Sequence, residues 1–238
     1  MKAVQRFIKE NGWISALFLV SILIIILYMY SLEKTEWFPH AGDWFNVVFQ
    51  ISVGYIVSFI FYITQVYIPE RRNRENINRC ICIEIDRILM RVEELFSHID
   101  MNHVIKGKFT EASDEQLLVQ LQSLKTDNRV SVLNPRRAYN PNNIKESEFT
   151  VKEWIISRIE FIEGMIDGLR KYYPQYVTPE LTNALDAIVY SQLHQSMCRV
   201  QLQIPTPMSY AECKNESFFW TYRDAINNLI ECKKQYEV

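Results

Sequence analysis

Residues 44–74 read WFNVVFQISVGYIVSFIFYITQVYIPERRNR, and the reading of this stretch decides the fold. From Trp44 to Pro69 it carries no charge, and then Glu70, Arg71, Arg72 and Arg74 arrive together. A helix rises ~1.5 Å per residue, so the uncharged run exceeds the ~30 Å hydrocarbon core of a bilayer. A small soluble domain could hardly bury so long an uncharged helix. The stretch is expected to cross a membrane over residues 44–68.

The polar residues of this span are not scattered. With Gln50 as origin and ~100° per residue, Gly54, Ser58, Thr64 and Gln65 fall within about a third of the circumference. Ser52 alone lies opposite. An unpaired amide in hydrocarbon costs several kcal/mol, so the stripe must face protein, water or another copy of itself. Gly54 and Ser58 also form a small-xxx-small pair that lets two backbones approach closely. Two readings stay open: the stripe packs against another span of the same chain, or it is a self-associating face that lines a pore.

Working towards the N-terminus, Trp13 to Tyr30 is a second uncharged run, opened by Trp13 and closed by Tyr28 and Tyr30. Aromatic rings sit well at headgroup level, and no A-x-A cleavage pattern follows. Residues 13–30 are therefore expected to be a retained first span. The connection, residues 31–43, has Lys34 as its one basic residue beside Glu33, Glu36 and Asp43. Lys2, Arg6 and Lys9 precede the first span, and Arg71, Arg72, Arg74 and Arg79 follow the second. Positive residues favour the cytoplasmic side, which puts both termini in the cytoplasm and the connection outside. His40, in the connection, reads as a solvated residue.

The full chain has 238 residues and a net charge of -2, so charge balance points neither to nucleic acid nor to acidic substrates. Only six glycines occur, which leaves little turn chemistry for hairpins and favours helices. The five cysteines, Cys80, Cys82, Cys198, Cys213 and Cys232, all follow the second span and read as free thiols packed in helices.

Beyond the arginines, Ile77, Ile81, Ile85, Ile88, Val92, Leu95 and Ile99 recur at spacings of four and three, one stripe of a helix. Proline removes a backbone hydrogen bond, so a bend or break is expected at Pro69. Further on, Ser113 with Gln116, Thr150 with Glu153 and Ser209 with Glu212 fit the capping box, and Thr178-Pro179-Glu180 fits a cap followed by proline. They open helices expected over 151–173, 179–203 and 210–234. In the first, Ile155, Ile159, Ile162, Ile166, Leu169 and Tyr173 form the seam, while Gly164 and Gly168 offer a groove for a neighbouring helix. The expected fold is all-α: a two-helix transmembrane hairpin, residues 1–75, then a cytosolic antiparallel helical bundle, residues 76–238.

No residue pattern announces catalysis. His98 and His103 lie five apart rather than the four that align metal ligands on a helix, and no G-x-S-x-G or phosphate-cradling glycine loop occurs. An enzyme is not expected, nor is a cofactor. Lys125 to Lys145 stands out instead: Lys125, Arg129, Arg136, Arg137 and Lys145 stand against Asp127, with Tyr139, two prolines and several asparagines. Read as a long loop, it is either simply solvated, or lies against anionic lipid headgroups, or docks a nucleic acid or acidic protein partner.

With the exit YIVSFIFYITQVYIPERR (residues 55–72) and the helical domain behind it, the layout resembles membrane effectors of bacterial anti-phage defence, in particular two-transmembrane effectors associated with retrons. The resemblance implies a toxin-like protein held inactive by a reverse transcriptase and its branched RNA–DNA product. Once released, such an effector damages the inner membrane and stops the infected cell. The rival reading is a non-toxic membrane adaptor that recruits a cytosolic partner.

Overall fold

The computed structural model describes residues 7–31, 39–100, 105, 107–123, 125, 127–195 and 217–237. The protein is predominantly helical and divides into two compact units, Met1–Arg74 and Glu75–Val238.

In the first unit, helix α1 spans Gly12–Ser31 and helix α2 spans Ala41–Phe61. A π-helical turn, Tyr62–Tyr67, follows, and then α3, Ile68–Ile99, which continues into the second unit. Gly12–Tyr30 and the helical run Ala41–Ile99 are long and apolar enough to cross a membrane, and only 6% of the apolar window of each is buried. That exposure separates them from the core helices of a soluble domain, whose apolar side chains are covered.

α1 and α2 run antiparallel and meet through rings. Phe18 stacks on Phe59 with centroids 4.2 Å apart, and Tyr28 stacks on Phe49 at 4.4 Å. Phe7 packs edge-on against Tyr67 at 4.7 Å. The Tyr55 hydroxyl donates to the Ile14 carbonyl at 2.8 Å. Ser15, Ser21 and Ser52 are buried, where small side chains let the two helices close.

Helical structure continues through Pro69, so the chain does not break there. Pro69 has no N–H to offer one turn back, and the chain answers by widening the preceding turn: the Ile68 N–H donates to the Ile63 carbonyl, five residues back.

The second unit is built on α3. Ile81, Ile85, Ile88, Val92, Leu95 and Ile99 are all buried, and Ile77 packs at the margin. The stripe that the spacing predicts is the stripe that faces the core. Helix α4 covers Asp114–Ser123, α5 Val151–Tyr172, α6 Pro179–Val189 and α7 Ser217–Lys233. On α5 the buried set includes Ile155, Ile159, Ile162, Ile166 and Leu169; on α7 it includes Phe219, Tyr222, Ile226 and Leu229.

The caps form as read. Ser113 accepts from the Gln116 N–H at 3.3 Å while Gln116 accepts from the Ser113 N–H at 2.9 Å. Thr150 and Glu153 do the same at the start of α5. Thr178 accepts from the Leu181 N–H, with Pro179 at the first helical position. Ser209 and Glu212 lie outside the described residues, as do Cys198, Cys213 and His103.

Two expectations need correction. Helix 179–203 is not continuous: α6 ends at Val189, and a separate turn, Gln192–His194, restarts with Ser191 accepting from the His194 N–H. Nor is the domain purely helical. Strand β1, Arg129–Leu133, pairs antiparallel with β2, Glu148–Thr150, with a register irregularity between Arg129 and Leu133. Val130 is buried and Val132 packs against the core while Ser131 and Leu133 point out, an alternation that only a strand provides.

Candidate functional site

The stripe residues Gln50, Gly54 and Ser58 of α2 lie on the side away from α1. Around the helix, Phe49, Ser52, Tyr55 and Phe59 face the partner helix, and Gln50, Gly54 and Ser58 are exposed on the opposite side. A Cβ added at Gly54 would meet nothing within 4 Å, so its notch is open. Of the two packings considered for this stripe, contact with the first span is therefore not the one observed. Ser52, which sits across the helix from the stripe, is the serine that packs there instead.

Asn46 belongs to the same face and was not counted with it. It precedes Gln50 by one turn, and the Gln50 side-chain amide donates to its carbonyl oxygen at 3.4 Å. Asn46, Gln50, Gly54 and Ser58 form a ladder at four-residue spacing, which was legible in the sequence. Thr64 and Gln65 are exposed too, but they lie in the π turn, where the i→i+5 register departs from 100° per residue. The Thr64 hydroxyl donates to the Ile60 carbonyl at 2.9 Å, which satisfies it within the helix.

In hydrocarbon such a face presents amide donors and acceptors that lipid cannot match. The chemistry open to such a face is lateral association, in which amides hydrogen-bond across helices and an open notch such as that at Gly54 admits a second backbone.

The basic segment turns out to be built rather than loose. Arg129 donates to the Glu148 carbonyl at 2.9 Å across the strand pair. Arg137 donates to the Glu146 carbonyl at 3.1 Å and pairs with Glu153 at 2.6 Å. Asn134 is buried, and its side chain accepts from the Arg136 N–H. Asn140 accepts from the N–H groups of Asn142 and Asn143 and donates to Glu146. The asparagines are thus turn builders.

Lys125, Arg136, Tyr139 and Lys145 are exposed, whereas Arg129 and Arg137 hold the fold together. Glu146 and Glu148, just past the end of the stretch as first delimited, also offset its charge.

Burial pushes the Glu153 carboxyl up, yet hydrogen bonds from the Thr150 backbone and hydroxyl and from Arg137 outweigh it and hold the group below the usual carboxylate range. His194 and Tyr222 are buried with rings 5.6 Å apart. Among the described residues neither ring nitrogen of His194 nor the Tyr222 hydroxyl has a hydrogen-bond partner. Burial drives the His194 pKa down to about 4 and the Tyr222 pKa up.

No group of three or more metal-ligating side chains gathers among the described residues. His98 Nδ1 lies 2.9 Å from the Glu94 carbonyl, and Asp100 accepts from the Ile105 N–H. Cys82 and Cys232 pack against the core, as read, while Cys80 is exposed. Comparison with family models, with curated proteins and with solved structures gave no match.

Proposed function

We propose that the chain is a membrane effector. In this reading α1 and α2 form a transmembrane hairpin in a bacterial inner membrane, with both termini in the cytoplasm. Copies assemble laterally through the Asn46–Gln50–Gly54–Ser58 face, and their assembly breaches the membrane. The helical second unit and its basic segment meet a cytosolic inhibitor. The layout's resemblance to retron effectors makes that inhibitor a reverse transcriptase with its RNA–DNA product. The observation that carries the reading is the exposure of these amides on the side of α2 that α1 leaves uncovered. A span that only anchors has no use for amides facing lipid.

The test is expression of the chain alone, with entry of an impermeant dye and membrane potential as readouts. Asn46→Leu with Gln50→Leu should abolish permeabilisation while insertion is kept. Unchanged dye entry in that double variant would remove the polar face from the mechanism.

A second reading, a non-toxic adaptor, is favoured by one observation: the hydroxyl of Thr64 and one amide hydrogen of Gln50 are already engaged within the helix. Such pairing lowers the cost of a polar side chain in lipid and would let the span serve as an anchor. An adaptor leaves the membrane sealed in the same assay.

A further inference from the structure

Helix α5 has a second face, opposite its buried isoleucines. Gly164 and Gly168 lie at its centre, and a Cβ built at either would meet nothing within 4 Å. Phe161, 49% exposed, and Tyr172, 73% exposed, form one edge. Exposed Glu160 and Lys171 form the other. Within the chain, the Arg91 guanidinium covers one side of the Phe161 ring, 5.2 Å from its centroid. A shallow groove between α3 and α5, lined by Glu84, Met165, Gly168 and Tyr172, runs beside the aromatic edge.

We propose that this face docks a second copy of the chain through an antiparallel α5–α5 pairing that sets Gly164 of one copy against Gly168 of the other. The assignment follows from self-complementarity. A two-fold axis perpendicular to both helices brings like edges together with their directions reversed. Centred at the level of Ile166, it puts Glu160 within ~2 Å in axial height of Lys171 of the second copy, and Phe161 within ~2 Å of Tyr172 of the second copy.

Each of these pairs occurs twice in the interface. A parallel pairing, whose two-fold axis runs along the helices, would instead set the Glu160 and Lys171 edge of one copy against the Phe161 and Tyr172 edge of the other, leaving both charges without an opposite partner. Asp167 lies further round, at the rim, where water screens it from its symmetry mate. The glycines let the two backbones close enough for both edges to engage, and Phe161 and Tyr172 supply the rigid apolar area that anchors such contacts. The proposal concerns the second unit and stands apart from any activity in the membrane.

The test is zero-length carbodiimide coupling of the full chain in lipid nanodiscs, with products mapped by mass spectrometry. Glu160 and Lys171 are eleven residues apart on one helix, ~16 Å along its axis, out of reach of such a link within one chain. A Glu160–Lys171 product therefore reports two copies. Lys233 and Asp86, 2.8 Å apart, give the internal control.

The expected result is both products in the native chain. In Gly164→Leu the Glu160–Lys171 product should fall roughly tenfold or more with the control link and thermal stability unchanged, since the added side chain meets open space. Absence of the Glu160–Lys171 product while the control forms, or its persistence in Gly164→Leu, overturns the proposal. Capture of a different protein's lysine by Glu160, in place of Lys171, overturns it as well.

Discussion

Arg137 reaches from the turn after β1 to Glu153 in the first turn of α5, and the two are ion-paired at 2.6 Å. Glu153 also closes the capping box with Thr150, so one carboxylate serves a helix start and the return of a long connection. Its pKa is lowered in the folded protein, so its contribution to stability is present above the unfolded value of ~4.3 and is lost as pH falls through the folded pKa. Glu153→Gln should lower the thermal midpoint at pH 7 by an amount worth about 1 kcal/mol, and the gap between variant and native chain should close on acidification below about pH 4. Thermal melts across that range check it.

His194 makes the opposite kind of demand. Its folded pKa of about 4 lies below the usual 6.5, so the folded state binds fewer protons between those values. Stability should decline as pH falls from about 6.5 towards 4, by on the order of 3 kcal/mol in total. His194→Phe should flatten this dependence between pH 7 and pH 5. A native-like slope in the variant would assign the effect to another group.

Tyr236 stitches the α5–α6 connection. Its hydroxyl donates to the Tyr176 carbonyl at 3.0 Å and accepts from the Thr178 N–H at 3.0 Å. Tyr236→Phe leaves both backbone groups without this partner and should cost about 1–3 kcal/mol. Denaturant unfolding checks it, with the m-value expected to stay constant.

The buried stripes of α3 and α5 were legible because helical spacing selects one face, and burial follows that face from Ile81 to Ile99 and from Ile155 to Leu169, with Ile77 and Tyr173 at the margins. The strand pair was not. Asparagine and proline in residues 134–143 drew the reading towards a loop, although Val130 and Val132 carry the period of two that marks a strand. The basic segment misled for a related reason. Charge alone does not tell an arginine facing a partner from one bonded to carbonyls of its own chain, as Arg129 and Arg137 are. On α2 the face was legible as far as Ser58, and Asn46 could have been found one turn before Gln50. The π turn that displaces Thr64 and Gln65 was signalled only by Pro69, through its missing hydrogen-bond donor.

The two serines of α2 should therefore respond differently to enlargement. Ser52 is 3% exposed and packs beneath α1, so Ser52→Leu overfills the seam and should cost about 1–3 kcal/mol of helix-pair stability. Ser58 is exposed, so Ser58→Leu should leave the pair intact and weaken association between copies. Protease resistance of the reconstituted pair and cross-linked oligomer yield separate the two effects. Asn46→Leu should behave as Ser58→Leu does.

Exposed basic residues divide from bonded ones in the same way. Lys125→Glu, Arg136→Glu and Lys145→Glu should each shift stability by no more than about 0.5 kcal/mol, while Arg137→Met should lose about 1 kcal/mol or more. Calorimetry of the four variants tests the division.

The rings between α1 and α2 interlock at two levels, with Tyr28 on Phe49 and Phe18 on Phe59, and a third contact, Phe7 on Tyr67, ties the residues before α1 to the π turn after α2. Sliding one helix along the other would unseat all three contacts at once, with no new pairing at an intermediate step. The two helices therefore behave as a single splint: whatever rearrangement the molecule undergoes, this pair tilts or travels whole.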